Sequence, residues 1–318
     1  MDPQPPAPAW QVWLRRRLVP VLVAAWICST LGWLSFVLPW WAELFSHFAL
    51  HGFLSAVLLG IGLAVVRSWR GTTAAVILAL IHLGFLAPAW IPTAATPTDG
   101  RDLHLMVANV LTSNPDRGPT IALGRDADLI ALVEVDATWI ADLTAGWPDH
   151  VLVAAEARED NFGCALWVRR GIEATAKVET FAPFDLPAIF VQVAGIEISL
   201  IHPPPPISAE YAAARNDMLR SVADWSGSIS DVPHLVIGDL NCTPWSPRLL
   251  HLLWAGGLHD TRRGRGNQAS WPTALGPLGI PIDHILTSDP DLISERRLGS
   301  PTGSDHRPIL ARIRVPAR

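Results

Sequence analysis

The chain has 318 residues, 50% of them hydrophobic, and a formal net charge of −5. That length exceeds one small domain, and three cysteines with no C-x-x-C spacing predict neither a disulfide framework nor a thiolate zinc site. Residues 1–93 carry five arginines against Asp2 and Glu43, a net of +3 that leaves −8 for the remainder, and Lys177 is the only lysine, a balance that disfavours nucleic acid as the natural substrate.

From Leu18 to Trp90 the only charges are Glu43, Arg67 and Arg70, and apolar segments can be drawn at 18–38, 45–66 and 72–91. Each is close to the ~20 residues an α-helix needs to cross the hydrocarbon core, so a three-helix transmembrane anchor over 18–91 is expected. Pro20 and Pro39 fall near the ends of the first segment, where a missing N–H costs little. Trp10, Trp13, Trp40, Trp41, Trp69 and Trp90 stand at the ends of apolar runs, the interfacial position that amphipathic rings favour. A cleaved signal peptide is the alternative for the first segment; the length of the run, the lack of a small-residue cleavage site and the two spans behind it argue against it. The positive-inside rule places residues 1–17 and the Arg67–Arg70 turn in the cytoplasm and everything after Trp90 outside. His47, His51 and His82 are read as hydrogen-bonded packing residues. Pro92–Gly100 has the Pro/Thr/Gly composition of a linker, and 101–318 is the expected catalytic domain.

Beyond the linker, short β-branched or apolar runs predict strands at Leu103–Val110, Asp128–Val135, Cys164–Val168, Ile189–Val193, Ile196–Ile201, His234–Gly238, Ile282–Leu286 and Ile309–Val315. Helical patterns fall at Ala137–Ala145, Ser208–Trp225 and Pro247–Ala255, and the mixture predicts an α/β domain with two sheets. No internal repeat and no glycine-rich phosphate loop is present. Polar residues cluster at strand ends: Asn109, Glu134, His202, Asp239 with Asn241, Asp283, and Asp305-His306 before the last strand. Ligand sites of α/β sheets lie at such ends.

These residue types suit phosphoester hydrolysis. Mg²⁺ takes oxygen ligands and keeps several waters, which Glu134 supported by Asn109 and Asp305 can serve, with Mn²⁺ as the alternative ion. His306 is assigned as general base, oriented by Asp283. His202 would bind the phosphoryl oxygen or assist the leaving group, Asp239 would position the nucleophilic water or a ring proton, and Asn241 would donate to the transition state. Taken singly each has a plainer reading: an Asp-His pair is more often a surface turn, a strand-end Asn satisfies backbone groups, and His202 before Pro203–Pro206 reads as a loop residue.

In their order, the segments Ala108-Asn109-Val110, Val133-Glu134-Val135, Ile201-His202-Pro203, Gly238-Asp239-Leu240-Asn241, Ile282-Asp283-His284-Ile285 and Ser304-Asp305-His306-Arg307-Pro308 resemble the successive motifs of the endonuclease/exonuclease/phosphatase superfamily. The resemblance spans nearly all of 101–315 and implies a four-layer α/β sandwich of two sheets flanked by helices. It also implies Mg²⁺-dependent cleavage of phosphate or pyrophosphate esters with the roles just assigned. Asn241 to Pro247, Gly257-Leu258-His259-Asp260 and Ser270-Trp271-Pro272 are similar to the bacterial branch that carries N-terminal membrane helices; within it the three-span layout resembles actinobacterial teicoplanin-resistance membrane proteins, for which the implied substrate is undecaprenyl pyrophosphate.

The expectation is an outward-facing hydrolase of a phosphorylated lipid, with membrane lipids as partners. Arg262, Arg263 and Arg265 in the Asp260–Gln268 loop either bind a second phosphate or head group or belong to a solvated connection. An extracytoplasmic nuclease and a non-catalytic membrane binding protein are the competing readings.

Overall fold

The computed structural model describes residues 7–92 and 100–316, so the expected linker and the start of the cytoplasmic segment lie almost wholly outside the described residues. The chain divides into two units, Met1–Pro88 with Trp245–Pro247, and Ala89–Pro244 with Arg248–Arg318.

The first unit is helical: α1 (Ala9–Trp33), a 3-10 segment (Trp40–Phe48), α2 (Ala49–Val65) and α3 (Trp69–Leu86). Leu22, Leu59, Leu63, Ala75 and Leu78 form its core. Two stretches, Trp40–Val65 and Trp69–Ala89, are long and apolar enough to cross a membrane. The first expected span is not among them, for a physical reason. α1 ends at Trp33 and contains Arg15, Arg16 and Arg17, so its uncharged part from Leu18 onward falls short of the ~20 residues a crossing requires. His82 is a packing residue, its Nε2 3.0 Å from Ser29 Oγ and its ring against Trp33. Within this unit Trp245 packs with Ala49 and Leu86, and Ser246 Oγ donates to the buried Glu43 carboxylate at 2.7 Å.

The second unit is a four-layer α/β sandwich. Its elements are β1 (Gly100–Asn109), α4 (Gly118–Gly124), β2 (Leu129–Val133), α5 (Ala137–Gly146), β3 (His150–Glu156), β4 (Cys164–Arg169), β5 (Ala174–Phe181), β6 (Leu186–Val193) and β7 (Ile196–Ile201). Then follow α6 (Ala209–Ser228), β8 (His234–Asp239), α7 (Pro247–Ala255), β9 (His259–Asp260), β10 (Asp283–Thr287), β11 (Ile293–Leu298) and β12 (Ile309–Pro316). One sheet has the order β11-β12-β1-β2-β4-β3 and the other β5-β6-β7-β8-β10-β9.

Strand residues alternate between two environments, as a period of two requires. Leu105, Val107, Ala131 and Val133 of one sheet meet Ile189, Val191, Leu200 and Ile237 of the other in the central core. Their neighbours Met106, Ala108, Ile130 and Leu132 face outward onto α5 through Trp139, Leu143 and Trp147. On the opposite side Ala188, Phe190, Ile201 and Val236 pack on α6 and α7 through Ala214, Met218, Val222, Leu249 and Leu252. Helix starts are capped by side chains: Asp136 accepts from Trp139 N at 2.6 Å and Ser208 from Tyr211 N at 3.1 Å.

Each sheet contains one parallel pair, β1 with β2 and β7 with β8. The C-terminal ends of these four strands carry Asn109, Glu134, His202 and Asp239. β10 runs antiparallel to β8 with Asp283 opposite Asp239, and the turn before β12, antiparallel to β1, supplies Asp305 and His306. Topology alone therefore brings the polar strand ends toward one edge of the sandwich.

Candidate active site

The close approach of β7 and β8 depends on Gly238. Its φ is 131°, and a Cβ there would collide with the Ile201 carbonyl oxygen. Glycine thus lets the His202 end of one strand lie beside the Asp239 end of the other. Two side chains of the site sit on left-handed backbone, Glu134 at φ 60° and Asn241 at φ 49°. Non-glycine residues in that region cost about 1–3 kcal/mol each, and such strain recurs at functional sites.

Asn109 is the hub. Its Nδ2 donates to Glu134 Oε1 at 2.7 Å and to Asp239 Oδ2 at 3.1 Å, and its Oδ1 accepts from Leu111 N at 3.0 Å. Asp239 Oδ2 lies 3.6 Å from His306 Nε2 and 3.7 Å from His202 Nε2, and Asp239 Oδ1 accepts from Asn241 N at 2.9 Å. Asp283 Oδ2 and His306 Nδ1 are 2.8 Å apart, both side chains buried. Asn241 Nδ2 donates to Pro203 O at 3.0 Å and lies 3.5 Å from His202 Nε2. Asp305 is exposed, and its Oδ2 accepts from Trp271 Nε1 at 2.9 Å. Of the eight residues singled out in the sequence, Asn109, Glu134, His202, Asp239, Asn241, Asp283 and His306 are joined by these contacts, with Asp305 at the rim close enough to act on Glu134 electrostatically.

The charges perturb one another strongly. Burial, reinforced by Asp283, pushes the Asp239 carboxyl up to about 6. Burial also raises Glu134, against the hydrogen bond from Asn109. For Asp283 burial works upward too, but the charge and hydrogen bond of His306 outweigh it and hold the group below the usual carboxylate range. His306 is lowered by burial yet raised further by Asp283 and Asp239, to about 10. Burial pulls His202 down. Among the described residues the site therefore presents one imidazolium, one neutral imidazole and a carboxyl that titrates near neutrality.

A family model described as the endonuclease/exonuclease/phosphatase family matches residues 95–306. The chain belongs to this family. Its structure is similar to that of D. rerio TDP2 complexed with a single strand DNA product, with a TM-score of 0.54, 14% identity, and 66% of this chain and 98% of that chain covered. It is also similar to an endonuclease/exonuclease/phosphatase from Bacteroides vulgatus, with a TM-score of 0.51, 16% identity, and 68% and 99% covered. A third, from Beutenbergia cavernae, has a TM-score of 0.50, 20% identity, and 68% and 72% covered. At these identities the likeness is one of fold. No curated protein matches the chain. The endonuclease/exonuclease/phosphatase family hydrolyses phosphoester bonds and generally uses a divalent metal.

The donor set fits a hard divalent cation. Several carboxylates meet in one site, and the upward shifts of Glu134 and Asp239 are what a missing positive charge would relieve. Asp239, Asp283 and His306 have ligand atoms within 4.8 Å of one another, but Asp283 and His306 are hydrogen-bonded to each other. Mg²⁺ keeps several waters and so needs a reachable oxygen. Glu134, 13% exposed, and Asp305 meet that need better than Asp239 at 2%. Asn109, expected as a ligand, accepts from Leu111 N–H through its oxygen and donates its amide N–H to the carboxylates, so it also positions Glu134.

Supporting residues escaped the sequence reading. Ser270 Oγ accepts from the backbone N–H of Asp283 at 3.2 Å, Ser304 Oγ donates to Asn109 O at 2.9 Å, and Thr112 Oγ1 donates to Glu134 O at 3.0 Å. Ser270-Trp271 and Ser304 were visible as motif letters, but their role is contact across the fold, which no spacing encodes. The arginine loop also reads differently once folded. Arg262 is buried against Asp260 at 3.4 Å, and Arg265 donates to Thr261 O at 2.6 Å and Ile293 O at 2.8 Å, so both brace the fold and only Arg263 stays exposed.

Proposed function

We propose that the chain is a membrane-anchored, metal-dependent hydrolase of a lipid-linked phosphate or pyrophosphate ester, such as undecaprenyl pyrophosphate, acting at the outer face of the membrane. The observation that carries this reading is a phosphoesterase site in the same chain as two helices long and apolar enough to cross a bilayer. The positive-inside rule supports the outward orientation when α1 crosses the bilayer as well, since only then do Arg15–Arg17 and the Arg67–Arg70 turn fall on the same side. The rim favours a lipid over a polynucleotide. The loop from Trp271 to Pro281, tied to the site through Asp305, contains no charged residue and exposes Leu275 and Leu278, where a nucleic-acid groove would present Lys and Arg. The kinship in fold to TDP2 keeps an extracytoplasmic nuclease as the second reading.

A bound divalent cation would neutralise phosphoryl charge and polarise the phosphorus–oxygen bonds, held by Glu134 and Asp305. The protein supplies the rest. His306 keeps its proton at neutral pH because Asp283 stabilises the imidazolium, so it serves as donor to the phosphoryl oxygens, reversing the role expected from sequence. Asp239 stands within reach of both imidazoles and titrates near 6, which suits a base that takes the proton of the attacking water. Asn241, whose Nδ2 also donates to Pro203 O, and the neutral, buried His202, with its Nε2 3.7 Å from Asp239, are the remaining groups in reach of the phosphoryl oxygens.

The test is phosphate release by the full chain in detergent from undecaprenyl pyrophosphate, with plasmid DNA and RNA in parallel. Preferential turnover of the lipid supports the reading. Cleavage of nucleic acid alone would replace it with the nuclease, and a C-terminal reporter active only in the cytoplasm would remove the outer-face location.

A further inference from the structure

Strand β11 sends a charge into the sandwich. In a regular strand Ile293 and Glu295 would share one face and Arg296 the other. Here the ladder with β12 slips: Ile293 stands opposite Ile313 and Glu295 opposite Arg312, so Arg296 falls opposite Ala311, on the face that packs against the second sheet. Bulges re-aim side chains in this way, often beside active sites. The guanidinium turned inward is 5% exposed, and burial lowers it to about 10, which leaves it charged at neutral pH. Among the described residues no carboxylate is hydrogen-bonded to it; Asp260, the charge that acts on it most, stands 3.4 Å from Arg262. An apolar side chain of similar volume would serve the fold at least as well.

The fork of Arg296 goes instead to two neutral oxygens. Nη1 donates to Gln268 Oε1, and Nη2 donates to the backbone oxygen of Asp283 at 3.4 Å. Gln268, on left-handed backbone at φ 44°, is fixed in turn by donating from Nε2 to Arg265 O at 3.1 Å and Arg296 O at 3.2 Å. Asp283 needs such partners because β9 is two residues long and pairs only with Leu286 and Thr287, which leaves the outer edge of β10 without a strand at Asp283. Side chains close that edge: Ser270 Oγ accepts from Asp283 N at 3.2 Å, and Arg296 supplies the donor to Asp283 O.

We infer that Arg296 is a positioning residue of the active site: from the opposite sheet its fork holds the backbone of Asp283, and its charge favours the carboxylate that orients His306. The inference rests on the Asp283–His306 pair serving hydrolysis, and it holds for a lipid or a nucleic-acid substrate alike. Asp283 Oδ2 and His306 Nδ1 are 2.8 Å apart, a contact that a small displacement of the strand end would lengthen. A planar guanidinium serves two acceptors in fixed directions, which an ammonium cannot reproduce.

The experiment compares Arg296→Met, Arg296→Lys and Gln268→Met with the wild type and His306→Ala, each as the full chain in detergent with Mg²⁺. Three quantities are read: kcat and KM for a p-nitrophenyl phosphodiester, the urea midpoint, and the low-field proton signal of His306 Nδ1–H in ¹⁵N-edited spectra. We expect Arg296→Met to keep or raise the urea midpoint, because an apolar side chain replaces a buried charge. Its kcat should fall by about ten- to a hundredfold with KM within about twofold of the wild type, and its imidazole signal should move to higher field. Arg296→Lys should recover part of kcat and of the signal. Gln268→Met, at a half-buried position, should lose less in the same direction and carries the test if Arg296→Met does not fold. Wild-type kcat and signal in Arg296→Met overturn the inference. A kcat that falls only in step with the urea midpoint, the imidazole signal unmoved, overturns it in favour of a purely structural arginine. In both cases an inactive His306→Ala leaves the site itself standing, whereas an active one removes the site assignment and this inference together.

Discussion

Replacing Asp239 by Asn separates catalysis from stability. The carboxyl is buried and its value in the folded chain is about 6, against 3.8 ordinarily. A group whose folded value is raised stabilises the fold below its unfolded value and loses that contribution as pH rises through the folded one. Ionised Asp239 therefore burdens the metal-free fold above pH 6 by something on the order of 3 kcal/mol, from about two pK units at 1.36 kcal/mol each. Asn resembles the protonated acid in shape and can still accept from Asn241 N through its oxygen. We expect Asp239→Asn to lower kcat by about 10²–10⁴, the range for loss of a positioned base. In the presence of a chelator at pH 8 it should unfold at higher urea than the wild type. The assays are p-nitrophenyl phosphodiester turnover against pH and urea unfolding followed by circular dichroism. A variant that keeps its rate would refute the base assignment, and one that is less stable than the wild type at pH 8 would refute the burial argument.

Other substitutions give separate readouts. Asp283→Asn removes the charge that holds the proton on His306, so the alkaline limb of the rate profile, set by a group near 10, should move to lower pH, as a pH–rate series would show. Glu134→Gln should raise the Mg²⁺ concentration for half-maximal activity by at least tenfold, about 1.4 kcal/mol, measured by metal titration; an unchanged midpoint would place the ion elsewhere. Gly238→Ala forces a Cβ against the Ile201 carbonyl and should lower both stability and activity, seen as a reduced urea midpoint and a reduced kcat.

The fold was legible where strands are buried on both faces. β8, His234–Asp239, reads as an apolar run at Leu235–Ile237 because the core and a helix layer claim alternate side chains, whereas β7, Ile196–Ile201, alternates apolar residues with Glu197 and Ser199. β3, β5, β9 and β11 were not foreseen. β5, Ala174–Phe181, is an edge strand with Lys177 and Glu179 turned to solvent, and β11, Ile293–Leu298, carries three charges in six residues. Edge strands use charge against edge-to-edge pairing, which erases the apolar signal. The candidate site was legible as residue types at strand ends. What sequence could not supply was the mutual distances: Asp283 beside Asp239 across a strand pair raises one carboxyl, and Asp283 against His306 lowers the other and protonates the histidine. The first segment stands apart for a local reason, since hydropathy carried it past Trp33, where α1 ends.

The most direct measurement of the central claim is p-nitrophenol release from a phosphodiester by the full chain in detergent, with Mg²⁺ and with a chelator, beside His306→Ala. We expect Mg²⁺-dependent turnover that the chelator abolishes and that His306→Ala lowers by about 10²–10⁴. Turnover indifferent to the chelator, or undiminished in His306→Ala, would contradict a metal-dependent phosphoesterase built on these strand ends.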